Sequence, residues 1–225
     1  VLAAACALAT VAVGCGGGGA SSSPEAAVSA SVDATRALNS FHFAFDSKGI
    51  PPSTSGLQLL GAEGDALVPD RVRADVSGTF AGLALSTALV AIGRDVWIKD
   101  PLAGSWRSAD VGTTPAFLLD PATGVLGVMR RVGELHDDGS EDVGGVETRK
   151  LTGTAAVADV APLFAVTPGE GRVDVTLWIG KDDEILRRVE VRGPVGAGEP
   201  ADATRVVEIS RLNEPVTIEP PGAGA

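Results

Sequence analysis

Arg71-Val72-Arg73-Ala74-Asp75-Val76-Ser77-Gly78 places small apolar side chains at every second position and polar ones between them. Successive side chains of a strand point to opposite faces, so this stretch reads as a strand with Val72, Ala74 and Val76 inward. The same period recurs along the chain. Phe41, Phe43 and Phe45 alternate with His42 and Ala44, and Gly49-Ile50-Pro51-Pro52 then breaks the run. Leu83 to Ile92 is more continuously apolar, and Arg94-Asp95 turns it into Val96-Trp97-Ile98-Lys99. Val173, Val175, Leu177 and Ile179 form a further dry face, followed by Val189 with Val191, and by Val207 with Ile209 leading toward Val216-Thr217-Ile218. Such alternation describes an antiparallel sheet with one wet face and one dry face.

A dry face needs a cover, and three segments carry a helical pattern. Pro24 to Ser40 has Pro in its first turn and Val28, Val32 and Leu38 at roughly helical spacing. Pro115 to Val132 is expected to form helical turns interrupted near Pro121-Ala122-Thr123-Gly124, and Ala155 to Ala165 a second short helix. The expected fold class is α+β, a curved antiparallel sheet closed over by a few helices.

Composition is consistent with this. The chain has 225 residues, enough for one domain with a real core. Aromatics make up only 4% and Tyr is absent, so burial falls to Val, Leu, Ala and Ile, while 29 Gly and 14 Pro favour turns between short strands. The net charge of −11 argues against nucleic acid, whose binding rests on Lys and Arg neutralising phosphates, and against docking by a polybasic patch.

The beginning of the chain reads as an address. Val1 to Val13 is uncharged and apolar or small, too short for a spanning helix, which needs about 20 residues, and of signal-peptide core length. No charged n-region precedes it, and the natural leader is expected to extend further upstream. Ala12-Val13-Gly14-Cys15 ends the run, followed by four glycines and Ala20-Ser21-Ser22-Ser23. A small residue before a Cys at the end of such a run resembles a bacterial lipobox, in which the Cys is acylated and becomes the first mature residue. The expected organisation is a leader over residues 1–14, a flexible Gly/Ser tether over 15–23 starting at the lipidation site Cys15, a domain over 24–221, and a disordered tail over 222–225.

Catalytic patterns are sparse. Both cysteines, Cys6 and Cys15, lie outside the domain, which leaves no disulfide or thiolate metal site there. No nucleophile elbow, phosphate loop or paired His is present. His42 should point away from the phenylalanine face into solvent. His136-Asp137-Asp138-Gly139 with Glu141-Asp142 lacks the spacing of a calcium loop, which is about twelve residues, and reads as a solvated hairpin turn. Glu63 with Asp65, and Asp182-Asp183-Glu184, read as turn residues between strands. The expectation is a protein that is not an enzyme and holds no metal or cofactor.

The domain also resembles the LppX/LprA/LprF/LprG family of actinobacterial lipoproteins. The residues that carry the resemblance are Cys15; Val90-Ala91-Ile92-Gly93 with Val96-Trp97-Ile98-Lys99-Asp100-Pro101; Trp106; Leu119-Asp120-Pro121-Ala122-Thr123-Gly124-Val125; Val175-Thr176-Leu177-Trp178-Ile179; and Glu214-Pro215-Val216-Thr217-Ile218. The resemblance implies a half-barrel sheet with helices on its concave side, enclosing a hydrophobic cavity. It implies binding of acylated lipid or glycolipid and its carriage across the cell envelope from an anchor on the outer face of the cell membrane, with a major-facilitator efflux transporter as a partner. From alternation and helix faces, the expected cavity residues are Val72, Val76, Leu85, Phe117, Leu118, Leu126, Met129, Val173, Val175 and Leu177. Helices moving on Gly124 or Gly127 are expected to gate entry. The competing expectation is a solidly packed scaffold lipoprotein acting through protein contacts in the envelope.

Overall fold

The computed structural model describes residues 22–51, 57–109, 124–164 and 166–222. They form one antiparallel sheet of eleven strands that does not close on itself, with a few short helices on one side. The strands are β1 (Ser40–Lys48), β2 (Leu57–Leu67), β3 (Arg71–Phe80), β4 (Leu83–Ile92), β5 (Asp95–Lys99), β6 (Trp106–Ser108), β7 (Gly133–Val143), β8 (Val146–Ala156), β9 (Arg172–Gly180), β10 (Leu186–Arg192) and β11 (Thr204–Ser210). The helices are α1 (Pro24–Arg36), α2 (Val125–Met129), α3 (Val157–Val160) and a 3-10 turn, η1, over Ala161–Phe164.

The spatial order, β6-β5-β4-β3-β2-β1-β11-β10-β9-β8-β7, is two meanders joined at the middle. β1 to β6 wind outward from the centre. The chain then crosses from the β6 edge to the β7 edge, and β7 to β11 wind back until β11 pairs with β1. The crossover carries α2, so the link between the two edges brings a helix over the sheet.

The register puts the sequence alternation on one face throughout. Phe41, Phe43 and Phe45 lie opposite Ala66, Gly64 and Ala62, which lie opposite Val72, Ala74 and Val76. These in turn face Ala91, Leu89 and Thr87, and Ala91 and Leu89 face Val96 and Ile98. In the other direction Phe45 faces Val207, which faces Val189, which faces Leu177, which faces Leu151. This continuous dry surface is the concave face of the half-barrel.

α1 forms because Ser23 Oγ accepts the Ala26 N–H at 3.2 Å, Pro24 occupies the first turn, and Glu25 and Arg36 sit at the ends of the helix dipole that favour their charges. It ends at Arg36, short of the Ser40 expected from sequence, because Ser40 already belongs to β1. Leu38 is still buried, in the connection that follows the helix. The helix lies across the lower end of the concave face. Ser22 accepts from Arg149 Nη1 on β8 at 3.2 Å, and Thr35 Oγ1 accepts the Leu186 N–H at the start of β10 at 3.0 Å.

Other expectations needed correction. Glu63 and Asp65 are mid-strand residues of β2, paired with Ala44 and His42. Residues 136–142 belong to β7, and the hairpin turn falls at Gly144 and Gly145, both at positive φ. The acidic run is neutralised locally: Asp137 pairs with Arg149 at 2.7 Å, and Lys150 pairs with Asp138 and Glu141. The Gly139 N–H and then Arg149 hold the Asp137 carboxyl below the usual carboxylate range. Residues 155–156 continue β8, so the second short helix begins only at Val157. Asp182-Asp183 does form a turn, as expected.

The segment Val216-Thr217-Ile218 is extended but joins no strand of the sheet. It belongs to a tail strapped to the convex face. Asn213 Oδ1 accepts the Asn39 N–H at 2.8 Å, Ser40 Oγ donates to Glu214 O at 2.6 Å, and Arg71 Nη1 donates to Ile218 O at 2.9 Å. Ile218 and the convex-face Val90 are both buried, so this face is not wet where the tail crosses it. A cleft of about 400 Å³ between tail and sheet is lined by Arg73, Val90, Trp106 and Thr217.

Candidate functional site

Among the described residues, the helices cover one half of the concave face and leave the other half uncovered. Over β7 to β11 the helices close the face. Val28 and Val32 of α1, Leu126 and Met129 of α2, Val157 and Val160 of α3, and Phe164 of η1 join Leu151, Val173, Val175, Leu177, Val189 and Val191 in one buried cluster. Met129, Val175 and Leu177 are each at most 1% exposed, so this half is packed as solid core.

Over β2 to β5 fewer side chains are buried. A second, small cluster is made of Val72, Ala74, Ala91 and Val96, with Val76, Leu89 and Ile98 part-exposed beside it. Phe43 on the central strand packs against both clusters and marks the boundary. The floor here is built from small residues. Gly64 sits between Phe43 and Ala74, and Gly78 between the part-exposed Leu59 and Leu85. A Cβ at Gly64 would come within 2.0 Å of Arg73 O, and one at Gly78 within 2.1 Å of Gln58 O, so close strand approach requires glycine at both. The result is a strip of small side chains with the part-exposed Phe43, Leu59, Leu85, Leu89 and Ile98 on the same face, called the trough below. From Val76 to Gly93 there is no charged residue, and the β3–β4 hairpin that ends the trough exposes Phe80 and Leu83.

The residues expected to line a cavity therefore occupy two settings. Val76 and Leu85 line the open trough, and Val72 is buried in its floor. Leu126, Met129, Val173, Val175 and Leu177 lie in the sealed half. Cys15, Phe117 and Leu118 lie outside the described residues. Leu59, Leu89 and Ile98 were not singled out from sequence. The signal for Leu89 and Ile98 was their two-residue spacing from Ala91 and Val96, whereas a bulge between Leu59 and Gly61 obscures the phase of Leu59.

A polar group interrupts the concave face at its upper end. Arg205, only 3% exposed, lies two residues before Val207 and directly opposite Ser47. Its Nη2 donates to Glu199 Oε1 at 2.5 Å, and the Phe164 ring covers the guanidinium with its centroid 5.0 Å from Cζ. Burial pushes the Glu199 carboxyl up. The bond and charge of Arg205 with the Gly196 and Val195 N–H groups outweigh this and hold it below its ordinary value.

The convex face offers little chemistry. His42 points there as expected but is not free in solvent: its Nδ1 lies 2.8 Å from Asp65 and its Nε2 3.2 Å from Glu63, with Arg211 against the same ring. Arg188 lies 4.7 Å above the Trp178 ring, with Lys150 at 5.7 Å. Among the described residues no group of His, Cys, Asp and Glu is arranged to hold a metal ion, and no helix is long and apolar enough to cross a membrane.

An open antiparallel half-barrel with helices gathered on its concave side is the architecture of two solved mycobacterial lipoproteins. LprF from Mycobacterium bovis superposes with a TM-score of 0.70 at 21% identity, covering 89% of this chain and 97% of the other. LppX from Mycobacterium tuberculosis gives 0.61 at 23% identity, covering 87% and 98%. The chain belongs to the LppX_LprAFG lipoprotein family, whose model matches residues 23–218. In sequence it is 26% identical over 210 residues to the putative phthiocerol dimycocerosate transporter LppX of Mycobacterium tuberculosis, 86% of this chain and 78% of that one. It is 27% identical over 97 residues to the lipoarabinomannan carrier protein LprG of Mycolicibacterium smegmatis, a match that spans 43% of this chain and 41% of that protein.

Proposed function

We propose that this protein is an envelope lipid carrier that receives the acyl chains of a lipid or glycolipid in the trough over β2 to β5, and that Cys15 anchors it to the outer face of the cell membrane. The observation that carries the reading is the contrast between the two halves of one apolar face. One half is sealed by helices, while the other keeps Val76, Leu85, Leu89 and Ile98 part-exposed above a floor of Gly and Ala. Family relatives named as a lipoarabinomannan carrier protein and a putative phthiocerol dimycocerosate transporter support the same cargo class.

The mechanism breaks no bond. An acyl chain leaving a bilayer must keep its surface from water, at about 0.8 kcal/mol per methylene. A dry trough supplies that shelter, and the helical half supplies a rigid wall beside it. Release follows when another membrane or a partner offers the chain an equivalent environment. A major-facilitator efflux transporter is the partner we propose for loading, and Gly124 and Gly127, flanking and within α2, are proposed as points on which the helical cover shifts.

The test is to purify the full chain carrying Cys15→Ser from its native host, which removes covalent acyl groups, and to identify extractable lipid by mass spectrometry. A defined lipid near one per protein, diminished by Val76→Trp, supports the carrier. A lipid-free protein that also takes none from vesicles overturns it and leaves a scaffold role.

A further inference from the structure

We infer that the upper corner of the sheet, formed by the β3–β4 hairpin and the β5–β6 turn, is an apolar tip that docks on the surface of a lipid bilayer. The docking stands independently of the lipid-carrier reading. Its consequence for cargo, a path from bilayer to trough that avoids water, rests on that reading.

Among the described residues, the large hydrophobic side chains left exposed are Phe80 at 57%, Leu83 at 75% and Leu102 at 97%. All three fall at one corner. Phe80 and Leu83 are the pair that closes the β3–β4 hairpin, and Leu102 lies in the turn that leaves the same end of the neighbouring β5. Thr87 Oγ1 donates to Lys99 O, which ties the end of β5 to β4 just before that turn. A Cβ added at Gly82 or Gly104 would meet nothing within 4 Å, so both tips project clear of the fold. Charge is kept away as well. In a chain that is 21% charged, residues 49–62 and 76–93 contain no Asp, Glu, Lys or Arg, and these include the upper parts of β2 and β3 and the whole of β4.

Both tips are closed structures. Ala81 and Gly82 have φ of 50° and 80°, the tight two-residue turn that matches the twist of its strands. In the second turn the Leu102 and Ala103 N–H groups each donate to Asp100 Oδ1 at 2.9 Å. The Gly104 N–H donates to Asp100 O, and the Asp100 N–H to Ser105 O, both at 2.8 Å. Backbone that satisfies its polar groups internally can enter an apolar medium without leaving them unpaired.

Size and charge select the occupant. At no more than about 250 Å² each, the area of a large buried aromatic, three side chains fall short of the roughly 800 Å² per partner of a stable protein interface. Insertion at the boundary between headgroups and acyl chains needs only protruding apolar groups with a polar collar behind them. Lys99 and Arg107, exposed behind Leu102, supply that collar on stems long enough to keep their charges among the headgroups. Phe80 and Leu83 also continue the register of Val76 and Leu85 on the concave face, so the docked tip sets the trough against the bilayer.

The experiment places a single environment-sensitive NBD fluorophore on the full chain carrying Cys6→Ser and Cys15→Ser, through Leu102→Cys or, as a reference on the β7 edge, Ser140→Cys. Whatever residues 1–13 contribute to binding, the fluorophore reports its own surroundings. With dioleoyl phosphatidylcholine vesicles, the label at 102 is expected to brighten severalfold and shift to the blue, and the label at 140 to stay as in buffer. The response should persist at about 1 M salt, where charge attraction is screened within about 3 Å. Adding Leu83→Glu should raise the lipid concentration for half-maximal response about tenfold, the value of burying one leucine, while Leu83→Ile leaves it unchanged. Neither should move the thermal midpoint, because the side chain is exposed. No response at 102, an equal response at 140, loss of the response at high salt, or indifference to Leu83→Glu overturns the tip. A dimer in vesicle-free solution that Leu83→Glu disperses also overturns it, and assigns the corner to a second copy. None of these outcomes touches the carrier reading, which falls only if the protein yields no native lipid and takes none from vesicles.

Discussion

The rings of Phe45 and Phe164 stack with centroids 5.5 Å apart and planes inclined by 24°. Phe45 belongs to the central strand and Phe164 to the turn that closes the upper end of the sealed half, so this contact fixes where the helical cover stops. Replacing Phe164 with Ala removes the stack and uncovers Arg205. The expected loss is about 3 kcal/mol of unfolding free energy, measured by urea denaturation. A loss below half of that would mean that the cover is held mainly by α1 and α2.

The two halves of the concave face should answer the same substitution differently. Val175→Trp adds a large ring where Val175 is 1% exposed, and overpacking should cost about 1–3 kcal/mol. Val76→Trp adds it in the open trough, where thermal midpoint should change little while lipid uptake falls severalfold. If both variants lose stability equally, the trough is core.

Gly64 should tolerate no side chain. Alanine there brings Cβ against backbone of β3, which cannot move without parting the β2–β3 ladder. Gly64→Ala is expected to destabilise by about 2–3 kcal/mol, whereas Gly82→Ser, at a hairpin tip with open space around it but at positive φ, should cost about 1 kcal/mol. Denaturant midpoints of the two variants check the ranking.

Acid should weaken the upper end of the sheet. The Glu199 carboxyl titrates below its ordinary value of 4.5 in the folded protein, so the stabilisation it gives is present above that pH and is lost as the pH falls through the lowered folded value. Glu199→Gln should be less stable at pH 7 by about 3 kcal/mol, because Arg205 keeps a buried charge without a partner. It should also lose stability less steeply on acidification than the wild type. Parallel curves for the two proteins between pH 6 and pH 3 would show that Glu199 is not the group involved.

The most legible strands are those with a clean two-residue period. β3 alternates a dry face with a polar one, and β9 does the same apart from Trp178, so local periodicity alone reports both, whereas β4 was read as a strand from a more continuously apolar run ended by a turn. β7 was hidden because it is an edge strand whose lower half is polar on both faces, from Asp137 to Asp142. Charges there leave nothing for periodicity to detect, although they suit an edge that must not pair with another chain. β2 was hidden for a different reason: the small Ala62, Gly64 and Ala66 form its dry side, and Glu63 and Asp65 between them mimic a turn.

The setting of Arg205 was not legible. Alternation from Val207 places it on the dry face, and only the tertiary structure shows that Glu199 and the Phe164 ring meet it there.

By itself the sequence determined the sheet, its antiparallel character and the identity of its dry face, because each follows from the spacing of neighbouring side chains along a strand. The tertiary structure alone decided which half of that face the described helices cover. That depends on α1, α2, α3 and η1 all landing on β7 to β11, which is set by the chain crossing from one edge of the sheet to the other. It also decided that Arg205 is buried between Glu199 and the Phe164 ring, since burial depends on what lies opposite and above a residue, and no local pattern contains that information.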